Sequence, residues 1–155
     1  MMKSMIVTDY KGIIAKCFAQ DQDLISRWHL NAGRGLSDCI MQTHADMLNA
    51  KVEFHAIHEG DSLVGYFGKE QAAGSDFLTG FFVMPEYRTK KHLFEFWHIV
   101  NSSFTAPFFC GLFEKNKPAI DFIKRNGGKL SQAGHAHGQP ALIFKLESSC
   151  QHQEQ

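Results

Sequence analysis

The stretch "DFLTGFFVM", residues 76–84, constrains the fold more than any other part of the chain. Its nearly continuous apolar run is typical of a strand buried on both faces, and Pro85 ends it. The residues that follow carry apolar side chains at helical spacing, which predicts a helix packed on the same sheet. The side chains predicted to face the core in this helix are Leu93, Phe96, Trp97, Val100 and Phe104.

The remaining periodicities arrange other elements around this unit. In chain order we predict a strand, two helices, a hairpin, the central strand, its helix, a strand, a helix and two closing strands. Those outside the central unit lie at residues 4–10, 21–30, 36–50, 51–70, 106–113, 117–126 and 129–147. Three residues are placed to cap helices, and a glycine can occupy the left-handed position after the last one: Asp21, Ser37, Asn116 and Gly127. On the last helix, Phe122 and Ile123 are predicted to be buried.

Length and charge limit the possible classes. The 155 residues suit one domain, predicted over 1–147, with a polar tail over 148–155. Lysine plus arginine equals aspartate plus glutamate at 16 each, so no overall basic field favours nucleic acid. We find no signal-peptide pattern and no run of about 18 apolar residues that would enter a membrane. The expected location is therefore the cytoplasm.

Cysteines and histidines do not predict a metal site. The four cysteines share no short spacing and are predicted to be reduced thiols. His135 and His137 lie two apart, and His55 and His58 lie on the predicted hairpin, but no fixed carboxylate or cysteine accompanies them. His29 and His44 are predicted to be structural or solvated. No metal is expected.

Two motifs add chemistry to this element order. The central strand continues into V-x-P-x-x-R, formed by Val83, Pro85 and Arg88. After the strand at 106–113 comes N-x-x-A-x-x-F with a later glycine, formed by Asn116, Ala119, Phe122 and Gly127. Over residues 5–147 the element order and these motifs resemble the GNAT family of N-acetyltransferases.

The resemblance implies a fold and a function. The fold is α/β (α+β), with a twisted, mostly antiparallel sheet of six to seven strands flanked by about four helices. The function is N-acyl transfer from acetyl-coenzyme A to a small-molecule or peptide amine. The alternative is a GNAT-like binding or assembly protein, similar to small proteins of tailed phages, that has lost this chemistry. The oligomeric state is left open, with a homodimer as one option.

The resemblance also implies roles for particular residues. The backbones of Phe82 and Val83 would pair with the pantetheine arm of the coenzyme, and Asn116 would contact it. The residues facing its pyrophosphate would be Arg88, Thr89, Lys90, Lys91, His92 and Leu93. Glu114 is the predicted base that takes the proton of the amine, with Glu70 and Asp76 as other candidates.

Three positions depart from the family pattern. Lys91 and Leu93 stand where the family's pyrophosphate loop has glycines, whose missing side chains let the backbone approach the phosphates. Ile123 stands where the family often has a tyrosine that protonates the departing thiolate. The sequence therefore predicts a divergent member with an eroded pyrophosphate loop, in which lysine side chains replace the backbone cradle.

Overall fold

The structure is a computed structural model that describes residues 1–29 and 32–148. The predicted polar tail lies outside the described residues except for Ser148, and so does Cys150. The division into one domain over 1–147 and a tail stays a prediction. No described helix combines the length and hydropathy needed to cross a bilayer.

Within the described residues, strands and helices follow the predicted order. The strands are β1 Met2–Val7, β2 Glu53–Glu59, β3 Ser62–Ala72, β4 Ser75–Val83, β5 Phe108–Phe113, β6 Lys129–Ala136 and β7 Gln139–Leu146. The helices are α1 Lys11–Gln20, α2 Gln22–Trp28, α3 Leu36–Asn49, α4 Lys90–Ser102 and α5 Lys117–Arg125. Short 3₁₀ segments lie at Ala32–Arg34 and Pro85–Tyr87.

The strands form one sheet in the order β1-β2-β3-β4-β5-β7-β6. All neighbours are antiparallel except β4 and β5, which run parallel because α4 carries the chain across between them. The predicted fold class, a mostly antiparallel α/β sheet of six to seven strands, is confirmed. The described chain has five α-helices where about four were predicted.

The helix missed by the sequence analysis is α1. Its first residues include Gly12 and the β-branched pair Ile13 and Ile14, which lower helix propensity, and its N-cap Tyr10 makes no side-chain capping bond. Burial of Ile14, Cys17 and Phe18 compensates. Tertiary packing therefore outweighs a weak local signal.

Most of the predicted helix ends are confirmed. The carboxylate of Asp21 accepts a hydrogen bond from the Leu24 N–H at 3.1 Å, and Asn116 Oδ1 accepts one from the Ala119 N–H at 3.4 Å. Gly127 has φ +94° after α5. The prediction of Ser37 as a cap is wrong. Helix α3 begins at Leu36, and its N-cap is Gly35, which makes no side-chain capping bond.

Side chains on the two faces of the sheet form two core clusters. One packs α4 and α5 on the sheet around residues such as Phe67, Phe96, Val100 and Phe144. The other packs α1 and α3 on the opposite face around residues such as Ile14, Cys39, Phe54 and Tyr66. The predicted burial of Phe96, Trp97, Val100 and Ile123 is confirmed, whereas Phe122 is only half-buried because it borders a groove.

A β-bulge interrupts the pairing of β3 with β4. Phe67 pairs with Phe81 and Lys69 with Leu78, so Gly68 alone lies opposite Thr79 and Gly80. Gly80 has φ +77°, the left-handed conformation that glycine accommodates best. A Cβ on Gly68 would lie 2.5 Å from the Thr79 carbonyl oxygen, so the bulge also requires glycine on β3.

Replacing Trp97 tests the packing of α4. Its ring centroid lies 6.2 Å from that of Phe108 and 5.7 Å from that of Phe122. We expect Trp97→Ala to lower the free energy of unfolding by about 3–5 kcal/mol through the cavity it leaves. Phe94→Ala, on the same helix but 77% exposed, should change it by less than about 0.5 kcal/mol. Equal effects in denaturant unfolding would contradict this packing.

Replacing Gly68 tests the bulge. We expect Gly68→Ala to lower the free energy of unfolding by about 1–3 kcal/mol, because the new methyl group meets rigid backbone. The control is Gly134→Ala on β6, where a Cβ would meet nothing within 4 Å. Thermal unfolding of the two variants decides, and a Gly68→Ala protein as stable as the control would show that the bulge lies elsewhere.

Candidate functional site

The strands β4 and β5 separate soon after they meet. They pair only between Asp76–Leu78 and Phe108–Cys110, so the second half of β4, beyond the bulge, has no partner on this side among the described residues. The separation opens a groove of about 380 Å³ between β4, β5, α5 and the start of α4. Its charged lining side chains in the described chain are two arginines, Arg88 and Arg125.

A second cavity of about 310 Å³ lies on the side of α1, α2 and α3. The two cavities share five lining residues: Leu24, Gly80, Phe81, Phe82 and Asn116. Among the described residues, its lining contains one carboxylate, Asp46, and no lysine or arginine. The opening in the sheet therefore joins a groove that bears cations to a cavity that bears an anion.

The backbone of β4 alternates between β3 and the opening. The Met84 N–H donates to the Val64 carbonyl at 2.7 Å, and a Cβ on Gly65 would lie 1.9 Å from the Phe82 carbonyl oxygen. The backbone N–H and C=O groups of Phe82 and Met84 therefore point toward β3. Because these groups alternate along a strand, those of Phe81 and Val83 point toward the opening. Phe82 and Val83 were the two residues whose backbones were predicted to pair with a coenzyme. The backbone of Val83 points toward the opening, whereas Phe82 lines the groove with its side chain.

Arg88 lies at the end of the groove and is held by several contacts. Its Nε donates to the Val83 carbonyl at 2.8 Å, and its guanidinium forms an ion pair with Asp21. The guanidinium carbon also lies 5.3 Å from the centre of the Phe82 ring. Because Asp21 also caps α2, one carboxylate joins that helix to the end of β4.

The predicted pyrophosphate segment is a capped helix start in this chain. Thr89 is the N-cap: its Oγ1 accepts from the His92 N–H at 3.3 Å, and its carbonyl accepts from the Leu93 N–H at 2.9 Å. Lys90 and Lys91 lie exposed in the first turn of α4. The backbone donors of His92 and Leu93 are thus already used within the helix.

Only part of the predicted pyrophosphate segment, residues 88–93, lines the groove. Arg88 and Leu93 line the groove, together with Phe82, Val83 and Asn116. Four predicted residues do not line it: Thr89, Lys90, Lys91 and His92. His92 faces Glu59 of β2, with Nε2 3.9 Å from Oε2, and its ring contacts Tyr87 edge to face.

The predicted acid–base residues lie outside both cavities. Glu114 is exposed just beyond β5, and its N–H donates to the Pro140 carbonyl at 2.9 Å. Glu70 accepts from the Thr79 hydroxyl at 2.8 Å, and neither it nor Asp76 lines a cavity. Ile123 is fully buried in the core, so α5 presents Ala119 and Phe122 to the groove instead.

Several polar residues of the second cavity were not predicted as site residues, and one of them, His29, was predicted to be structural or solvated. His29, at the end of α2, has Nε2 2.8 Å from Thr43 Oγ1, and Asp46 accepts from Gln42 Nε2 at 2.7 Å. Burial lowers the pKa of His29, and nearby Asp46 partly offsets this. Burial also raises the pKa of Tyr66, so it stays a neutral phenol. The i, i+4 spacing of Gln42 and Asp46 was a local signal, but nothing local linked them to His29.

None of the cysteines in the described residues lines either cavity. Cys17, Cys39 and Cys110 are buried and free, and burial raises the pKa of Cys17 and Cys110 to about 12. A thiol with so high a pKa is not a useful nucleophile at neutral pH. Among the described residues, no group of three or more potential metal ligands comes together.

Comparison with known proteins identifies the fold. No family model matches the sequence, and no curated protein matches it significantly. A GNAT-family acetyltransferase structure from Bacillus cereus is 17% identical with a TM-score of 0.63, covering 96% of this chain and 98% of its own. The aminoglycoside N(6')-acetyltransferase of Legionella pneumophila is 15% identical with a TM-score of 0.71, covering 99% and 96%.

A third similar structure contains a ligand. The PaiA N-acetyltransferase of Thermoplasma acidophilum, in complex with coenzyme A, is 12% identical with a TM-score of 0.66, covering 94% of this chain and 99% of its own. At these identities the similarity concerns the fold. The chain therefore has the GNAT fold that its element order and motifs predicted.

Proposed function

We propose that this chain is an acetyl-coenzyme A dependent N-acyltransferase of the GNAT type, working at the opening between β4 and β5. The observation that carries the proposal is the meeting of two cavities of opposite charge at Phe81 and Phe82. Acetyl-coenzyme A is anionic through its phosphates, and an amine is mostly cationic at neutral pH before it loses its proton, so the two reactants suit cavities of opposite charge that meet at one point. The GNAT fold and the coenzyme A bound to the similar PaiA structure support it.

The donor would occupy the groove that Arg88 and Arg125 line. The β4 edge at Phe81 and Val83 faces this groove. Apart from the Val83 carbonyl, which accepts from Arg88, its backbone groups are placed to pair with the amides of the pantetheine arm. Asn116 borders both cavities and would lie beside the thioester end. Arginines suit this groove because one guanidinium group can donate two parallel hydrogen bonds to the oxygens of a phosphate.

The pyrophosphate would lie at the start of α4, with contacts to Arg88, Thr89, Lys90, Lys91, His92 and Leu93. The exposed side chains of Lys90 and Lys91 can reach an anion by rotating about their long stems. Because the helix start carries its own cap at Thr89, we propose that these two charges supply most of the attraction there.

In the reaction, the amine nitrogen bonds to the thioester carbonyl carbon and loses a proton. The carbon–sulfur bond breaks, and coenzyme A leaves as a thiolate that takes a proton from water. An amine with a pKa of about 10 is neutral only about once in a thousand molecules at pH 7, so a proton acceptor assists. We propose His29 for this role because it borders the acceptor cavity and its lowered pKa keeps it unprotonated. Glu114, predicted from the sequence, borders neither cavity and would have to act through water.

A GNAT-fold binding protein without chemistry is the second candidate. Two observations favour it: the Arg88 guanidinium is already paired with Asp21, and Ile123 replaces the acid that would protonate the thiolate. Such a protein could bind coenzyme A or an amine but would transfer no acetyl group. Turnover with a panel of amines separates it from the enzyme.

Binding of coenzyme A tests the role of the lysines. We expect Lys90→Ala with Lys91→Ala to weaken calorimetric binding of acetyl-coenzyme A at least about tenfold at low salt, because two charge-assisted contacts are lost. The loss should shrink at moderate salt, since exposed charges are screened over about 8–10 Å. The control is Lys3→Ala with Lys145→Ala, which removes two exposed lysines that line neither cavity. Undiminished binding by the first variant would refute this account of the phosphate site.

The pH dependence of acetylation tests the proton acceptor. We expect kcat/KM to rise with pH and to level off above a pKa lower than the ordinary histidine value of about 6.5, because the neutral imidazole is the active form. His29→Gln should lower the rate about a hundredfold and remove this acid limb. Glu114→Gln serves as the comparison. A loss of activity in Glu114→Gln with a normal profile in His29→Gln would assign the base to Glu114 instead.

A further inference from the structure

We propose that the acceptor is a small primary amine on a flat, apolar body, with its ammonium group at Asp46. This inference rests on the proposed function for its context, but the binding it describes does not need the acetyl donor. It assigns a ligand class to the second cavity, whose described lining combines one carboxylate with a wall of aromatic rings.

The negative charge of the second cavity comes from its α3 side. Asp46 lies on α3 beside Gln42 and Thr43, and it is the charged side chain in the described lining apart from the titratable His29 and His137. A carboxylate has about four acceptor positions, of which the Gln42 bond uses one. An ammonium group has three donors and no acceptor, so it complements Asp46 where an anion would be repelled.

Aromatic rings make up much of the rest of the lining, together with Leu24 and Ile25 and with the polar side chains of His29, Asn116 and His137. Six rings from α1, α2, β3, β4 and β5 border the cavity: Phe18, Trp28, Tyr66, Phe81, Phe82 and Phe113. Tyr66 and Phe82 lie nearly parallel, with ring centroids 6.3 Å apart, and Phe18 packs against Phe82 at 6.1 Å. Such walls favour a planar apolar group, which can stack or meet ring edges.

Polarity and size together favour an aromatic amine over an aminosugar. Hydrogen-bonding side chains occupy α3 and a few other points of the lining, at His29, Asn116 and His137, and six rings lie between them. An aminosugar carries hydroxyl groups on all sides and would leave several unpaired against these rings. At about 310 Å³ the cavity lies at the small end of the roughly 300–1,000 Å³ of ligand pockets. An amine with one cationic end and one ring fits both properties.

The test is calorimetric titration of the full chain with three probes at pH 7.5. They are 2-phenylethylamine, the neutral 2-phenylethanol, and propylamine, which has the charge but no ring. We expect 2-phenylethylamine to bind at least about tenfold more tightly than either of the others, because each lacks one of the two recognised features. Kanamycin, an aminosugar, should bind more weakly than 2-phenylethylamine.

Two variants locate the ammonium group. Asp46→Asn should reduce binding of 2-phenylethylamine to about the level of 2-phenylethanol, while binding of the alcohol stays unchanged. The matched control is Asp38→Asn, on the same helix, exposed, and outside both cavity linings. Circular dichroism of both variants confirms that they are folded. Equal binding of amine and alcohol, tighter binding of kanamycin, or no effect of Asp46→Asn would overturn the inference.

Titration with acetyl-coenzyme A in a separate experiment distinguishes this inference from the proposed function. If the coenzyme binds and the aromatic amine does not, the acceptor class is wrong and the proposed function stands. If the aromatic amine binds as expected and the coenzyme does not, the site at Asp46 stands and acyl transfer fails. If neither binds, both are wrong.

Discussion

The extra residue in β4 is the constraint on which the rest of the site depends. Gly68 lies opposite two residues, so the strand turns over after Leu78 and exchanges the faces on which its side chains lie. Pairing with β5 ends at the same residue. Because of this one bulge, Phe81 packs toward α5, Phe82 packs toward α1, and the edge between them is open.

The ion pair between Arg88 and Asp21 joins the end of β4 to the start of α2, beside both cavities. Arg88 holds the end of β4 through the Val83 carbonyl, and Asp21 holds the start of α2 through the Leu24 N–H. Leu24 in turn borders both cavities. Helix α2, which borders the second cavity, is therefore positioned by Arg88, which lines the groove.

The fold could be predicted further than the site. The continuous apolar run of β4, the caps at Asp21 and Asn116, and the terminal Gly127 are local signals, and each is present in the structure. Helix α1 was missed because its stability comes from burial. At the site, Val83, Arg88 and Asn116 were predicted because they match the motifs of the family that the sequence resembles. His29 and Asp46 come together only through the packing of α2 on α3, which no short pattern encodes.

The glycines of β3 make the opening between β4 and β5 a requirement of folding. A side chain at Gly65 or Gly68 would collide with the backbone of β4 whether or not any ligand binds. Natural selection for folding alone would therefore preserve the bulge, and with it the opening in the sheet. Lys90 and Lys91, by contrast, are exposed at the start of α4 and pack in neither core cluster. Among descendants of this chain, the opening between β4 and β5 should therefore persist even where these two lysines have been replaced.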